Sequence, residues 1–151
     1  MNYLPISIRI EGTRILIVGG GKVATHKAQI LNRFTDEATV IAPEISEGIK
    51  ALPFKTIERP FEEADLEGVN LLFVVTGDHE LNHQIKQMAA QRGILTSVCD
   101  DPEACDFISP AIYREGNLTI AVGSDAEDVK RSIRVRNRIK ERIENDELSI
   151  E

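Results

Sequence analysis

Three consecutive glycines, Gly19-Gly20-Gly21, follow the four apolar residues Ile15 to Val18, and a helical pattern begins at Lys22. A buried strand, a glycine turn and a helix N-terminus are what a bound pyrophosphate requires. Gly19 permits the tight turn, and Gly21 lets backbone approach the phosphates. Ala24 completes a GxGxx[GA] pattern and lets the helix pack close to the strand. The helix adds unpaired N–H groups and the positive end of its dipole. Glu44 lies about twenty residues beyond Ala24, where dinucleotide folds place an acid on the ribose diol. An acid there favours NAD over NADP, because it repels a 2′-phosphate. Standing after Pro43, it also reads as a solvated loop glutamate.

Other residues offer chemistry at the ends of predicted strands. Thr76-Gly77-Asp78 follows the apolar run NLLFVV, where small residues let a ribose or a base approach; Asp78 also reads as a helix N-cap. Asp100 and Asp101 follow a later strand. A carboxylate at such a rim serves as a general base or holds a protonated group, and Asp101-Pro102 also reads as a turn signal. His79 and His83 are spaced i, i+4, but with no third ligand at suitable spacing they read as exposed helix histidines, and no metal site is expected. The run from Lys130 to Arg142, including Arg131 and Arg134, reads as a solvated basic face or, more sharply, as a docking face for a polycarboxylate.

These residues need elements to position them. Tyr3 to Ile10 alternates apolar and polar residues as an edge strand does, and strands follow at 14–18, 38–42, 54–57, 70–75 and 94–98. Helices are expected at 22–34, 61–66 and 81–91, with one or two turns at 46–51. Strands alternating with helices predict an α/β, Rossmann-like, mostly parallel sheet that binds ligands beyond the carboxyl ends of its strands. After Phe107 the pattern changes to an irregular stretch, an apolar strand at 118–122 that joins by an antiparallel arrangement, and a charged helix from Asp128 to Glu144.

The chain has 151 residues, 42% of them hydrophobic, and a net charge of −7. That length buries a real core. The acidic balance argues against nucleic acid as a partner. No apolar run approaches membrane-spanning length, and Cys99 and Cys105 read as reduced thiols. A cytoplasmic location with no membrane partner is the expectation.

Two segments go further. Residues 4–31 (LPISIRIEGTRILIVGGGKVATHKAQIL) and 97–124 (SVCDDPEACDFISPAIYREGNLTIAVGS) together span over a third of the chain. Both resemble the dehydrogenase module of siroheme synthases, the precorrin-2 dehydrogenase family; the DxxxxxDFxxPA stretch is the more specific mark. The resemblance implies NAD-dependent oxidation of the tetrapyrrole precorrin-2 to sirohydrochlorin, and in some members insertion of ferrous iron. It puts the key acid on Asp100, and dinucleotide contacts on Lys22-Val23, beside the Gly19-Gly20-Gly21 turn, and on Pro43-Glu44; Thr76 and Gly77 join them only from their place at the end of the NLLFVV strand. It also puts a substrate-loop serine on Ser124; the basic run with Arg131 and Arg134, read from its charges alone, then has the carboxylates of such a substrate to meet. It implies a homodimer formed after the sheet, hence residues 1–112 as the NAD-binding domain and 113–151 as a helical dimerisation and substrate-side segment. The chain reads Gly123-Ser124-Asp125-Ala126-Glu127-Asp128 where that family commonly has SxGGxSP. The alternatives are an NAD-sensing regulatory module without catalysis and a chelatase without dehydrogenase activity.

Overall fold

All four residues of β1 (Ile15–Val18) are buried. This is why the run is continuously apolar: a parallel strand covered on both faces has no solvent side to mark with polar residues. The computed structural model describes residues 1–151. It comprises two compact units, residues 6–107 and a second built from residues 1–5 and 108–151.

In the larger unit β1 pairs in parallel with β2 (Thr39–Ala42) and with β4 (Leu71–Val74). β3 (Lys55–Glu58) and β5 (Leu95–Val98) complete a parallel sheet of order β3-β2-β1-β4-β5. Alternate side chains serve opposite faces. Ile15, Ile17, Val40 and Phe73 pack with Ala24 and Ala28 of α1 (Lys22–Leu31) and Ile49 of α2 (Glu47–Lys50). Leu16, Val18, Ile41, Leu72 and Val74 pack with Ile85 and Ala89 of α3 (His79–Gln91). Each of the buried Val, Leu, Ile and Phe side chains among these contributes about 1.5–3 kcal/mol.

The expected strand over Tyr3–Ile10 does not form, and Leu4 and Ile6 are 81% and 70% exposed. The turn closed by the Thr13 N–H on the Ile10 carbonyl leads straight into β1, whose two sides are already taken by β2 and β4. Alternation alone supplies no pairing partner. The first helix stops at Leu31 rather than Phe34, and the helix expected over 61–66 is a single 3₁₀ turn, Glu63–Leu66. It is stapled by Arg59, whose guanidinium meets both carboxylate oxygens of buried Asp65 at 2.9 and 2.7 Å.

In the smaller unit, β6 (Ala111–Glu115) and β7 (Leu118–Val122) form an antiparallel hairpin. The stretch read as irregular thus ends in a strand. β7 pairs with that strand and not with the parallel sheet. α4 (Val129–Glu144) packs on the hairpin, and Arg136 donates to the Ile112 carbonyl at 3.1 Å. Asp128 caps α4 by accepting from the Arg131 N–H at 2.9 Å. No helix is long and apolar enough to cross a membrane.

Candidate active site

The glycine turn leaves the sheet between β2 and β4, where strand order reverses. The Gly19 N–H donates to the Ile41 carbonyl at 3.0 Å, and the Val75 N–H to the Val18 carbonyl at 2.8 Å. Each glycine has a distinct duty. Gly19 has φ +137, and a Cβ there would overlap the Val75 carbonyl oxygen. A Cβ on Gly20 would overlap the carbonyl oxygen of Glu44. Gly21, the N-cap of α1, is exposed, and a Cβ there would meet nothing within 4 Å. The first turn of α1 carries no capping side chain and no acid. It therefore presents free N–H groups and the positive dipole end to an open cradle, which suits an anion. Lys22 and Val23 flank that cradle, both exposed.

The segment after β2 is fastened to this turn. The Ser46 N–H donates to the Gly20 carbonyl at 2.9 Å, and the Ser46 hydroxyl meets that of Thr25 at 2.6 Å. Ser46 also caps α2 through the Ile49 N–H. Pro43 and Glu44 stand exposed at the tip of β2, beside the glycines.

Beyond β4, Thr76 and Asn82 form a hub. Asn82 is fully buried, bonds to the Thr76 hydroxyl, and donates its amide to the Thr76 carbonyl at 3.1 Å and to Asp100 Oδ1 at 3.2 Å. The other oxygen, Asp100 Oδ2, lies 2.8 Å from Nδ1 of His79. Partial burial pushes the Asp100 carboxyl up, but the His79 and Asn82 hydrogen bonds together hold it below the usual carboxylate value. Asp101 has a different occupation: it caps the 3₁₀ turn Pro102–Ala104 and pairs with His83 at 3.0 Å. Asp78 caps α3 by accepting from the Leu81 N–H, leaving exposed Gly77 as the small residue at this rim.

Asp106 and Phe107 fix the loop that carries Asp100. The Asp106 N–H donates to the Thr96 carbonyl at 2.8 Å, and its carboxylate accepts from the Thr96 N–H at 2.9 Å. Lys86 closes on the same carboxylate at 2.7 Å. This covers the free edge of β5 with two strand-like bonds. Phe107 meets Phe73 edge to face at 5.5 Å. Desolvation lowers the pKa of the Lys27 ammonium, and Nζ stands 5.6 Å from the centroid of the Phe73 ring.

Sequence reading missed Asn82 and the roles of His79 and His83. The signal for Asn82 was an amide between Leu81 and Ile85 on the helix's apolar face; the histidines gave none beyond their spacing. The structure brings Gly19, Gly20, Gly21, Lys22, Val23, Pro43, Glu44, Thr76, Gly77 and Asp100 to one edge of one sheet. Ser124, Arg131 and Arg134 belong to the smaller unit, where the Ser124 hydroxyl accepts from Ser132 at 2.9 Å and from the Asp128 N–H at 3.2 Å. Both arginines are exposed. A recess lined by Arg14, Asp36, Glu37 and Lys55 opens at the amino ends of β1 and β2. It lies at the opposite sheet edge from the one at which parallel sheets bind ligands, so the glycine edge is the better site.

Residues 6–111 match the model of a family described as putative NAD(P)-binding. The siroheme synthase of Nitrosococcus oceani is 36% identical over 128 residues, covering 82% of this chain and 27% of that protein. The siroheme synthase of Pseudomonas fluorescens strain SBW25 is 35% identical over 142 residues, covering 90% of this chain and 31% of that protein. The chain thus spans under a third of these curated relatives. The solved structure of SirC, precorrin-2 dehydrogenase, superposes with a TM-score of 0.75 at 24% identity, covering 95% of this chain and 71% of that one, and shares the fold.

Proposed function

The chain belongs to the putative NAD(P)-binding family, and from that premise we propose that it is an NAD-dependent dehydrogenase oxidising precorrin-2 to sirohydrochlorin in siroheme formation. The observation that carries this reading is the Asp100 carboxylate, held between Asn82 and His79 on the sheet edge that bears the glycine turn. The residues fit a dinucleotide: an uncapped helix start stands in front of Gly21, whose missing side chain leaves the cradle open. When bound, NAD supplies the ring that accepts a hydride. The protein's share is orientation and a base. The N–H groups from Gly21 to Val23 hold the pyrophosphate, Pro43 and Glu44 the ribose diol, and Thr76 and Gly77 leave room for the other nucleoside. Asp100 takes the proton that accompanies hydride loss.

Residues 113–151 serve as a homodimerisation and substrate-side segment following a dinucleotide domain of 1–112, with Ser124, Arg131 and Arg134 meeting substrate carboxylates. Insertion of ferrous iron, as in some members of the family it resembles, is a further activity to be tested in this reading, and the protein works in the cytoplasm. Anaerobic incubation with precorrin-2 and NAD, followed by visible absorbance, tests the assignment; the expected result is sirohydrochlorin and one NADH per turnover. A protein that binds NAD but leaves precorrin-2 unchanged overturns it. That outcome favours the NAD-sensing module, a reading supported by the acids Asp125, Glu127 and Asp128 around a Ser124 hydroxyl already engaged within its own unit.

A further inference from the structure

Two imidazoles stand over the two carboxylates after β5. His79 Nδ1 is 2.8 Å from Asp100 Oδ2, His83 Nε2 is 3.0 Å from Asp101 Oδ2, and the two ring centroids are 4.6 Å apart. The pairs are not equivalent. Asp101 is committed to capping the turn that follows it. Asp100 has one oxygen fixed by buried Asn82, while the other faces a ring whose side chain is 66% exposed. Asp100 and His79 therefore run from the sheet edge out to water.

A carboxylate held below its ordinary range is a weak base at neutral pH, and general bases work best near the operating pH. An imidazole hydrogen-bonded behind it supplies the missing basicity. The geometry points to His79 as a positioning residue that acts through Asp100, orienting its carboxylate and accepting the proton it collects. This inference rests on the dehydrogenase reading. Two-electron oxidation removes one hydride, which leaves for the nicotinamide, and one proton. As the substrate's bond to that proton breaks, an O–H bond forms on Asp100 Oδ2 and the electron pair stays with the substrate. With His79 in its Nε2–H tautomer, so that the Nδ1 lone pair faces Oδ2, that O–H breaks as Nδ1–H forms, the imidazolium gives a proton to water, and exchange with solvent restores the Nε2–H tautomer. The hydrogen bond that the protonated ring donates to Asp100 raises the His79 pKa above its ordinary value, and the charges of Asp100, Asp101 and Asp78 add to this against slight burial. The groups facing the ring are Asp78 at the cap of α3, His83 within it, and Asp100 and Asp101 from the loop after β5.

His79→Asn tests this, because the asparagine amide reaches Asp100 from the Nδ1 position but takes no proton. The first readout is NMR titration of His79 in the protein alone. The expected midpoint lies above the ordinary imidazole value of 6.5 and falls in Asp100→Asn; an ordinary midpoint overturns the pair. The second is the pH profile of precorrin-2 oxidation. In the parent, kcat rises through the His79 midpoint to a plateau. In His79→Asn that limb disappears and the plateau kcat drops about tenfold or more, with KM for precorrin-2 within about twofold. His83→Asn keeps the parent profile. An unchanged limb and kcat in His79→Asn overturn the inference alone, whereas a parent inactive at every pH overturns the dehydrogenase reading and the relay with it.

Discussion

Gly20 and Glu44 meet backbone to backbone: a side chain on Gly20 would occupy the position of the Glu44 carbonyl oxygen. The glycine turn and the segment after β2 are therefore built against each other, and the separation between the turn and the Glu44 backbone is set by main chain. Gly20→Ala must push that main chain apart. It should cost about 1–3 kcal/mol of stability, the usual scale of overpacking, and weaken NAD binding as well. Gly21→Val should abolish NAD binding with little loss of stability, since its side chain points into open space. Urea unfolding and calorimetric titration on both variants check the contrast.

NAD should bind more tightly than NADP. Glu44 is exposed at the tip of β2, flanked in sequence by Pro43 and Ile45 with no arginine beside it. Glu44→Gln should narrow the preference by removing the repulsion toward a 2′-phosphate. Calorimetry with both cofactors decides the point, and tighter NADP binding by the parent removes Glu44 from the cofactor site.

Asp100→Asn should cut precorrin-2 oxidation by about a hundredfold or more, the scale of a general-base contribution, while leaving NAD affinity nearly unchanged. Asparagine keeps the size and can still bond Asn82 and His79, but accepts no proton at neutral pH. Asp101→Asn should matter far less. Steady-state rates with stoichiometric NADH detection check both.

The Arg59–Asp65 pair predicts part of the acid sensitivity of folding. The Arg59 hydrogen bonds, more than any other cause, hold the Asp65 carboxyl below its ordinary 3.8. A depressed native pKa contributes stability that is full above 3.8 and is lost as pH falls through the lower native value. Asp65→Asn should therefore cost about 1–3 kcal/mol at pH 7, and its deficit should shrink in strong acid. Urea midpoints at neutral and acid pH measure both.

The helix α4 should mediate self-association. Val129 and Ile133 are 61% and 40% exposed, whereas Ile143 further along is buried. Sedimentation should give a dimer of the 16.8 kDa chain, and Val129→Asp with Ile133→Asp should return it to monomer with the fold retained. A parent that sediments as monomer at micromolar concentration contradicts this.

What the sequence disclosed and what it hid follow one division. The strands ILIV and LLFV were legible because burial on both faces leaves an uninterrupted apolar run, and the glycine turn because backbone geometry admits few other residues. The Tyr3–Ile10 segment misled, since alternation reports a pattern of faces and says nothing of an available edge. β6 was hidden because AIYRE, half-buried with an exposed end, carries no such run. The position of Asp100 just beyond β5 was legible from the sequence. Asn82, His79 and the Asp106 clasp were not, because their roles arise from contacts between α3 and the loop after β5 that no local spacing encodes.

The central position of β1 also sets a clock. Its amides are hydrogen-bonded to strands on both sides, and Leu16 and Ile17 are completely shielded from water. No local opening can free them without parting β2 and β4 at once, so their deuterium exchange should run at the rate of global unfolding of the larger unit. The N–H groups at the start of α1, a few residues on, should exchange at rates near those of open chain until an anion occupies them. A single exchange experiment thus reads overall stability and ligand occupancy from neighbouring positions.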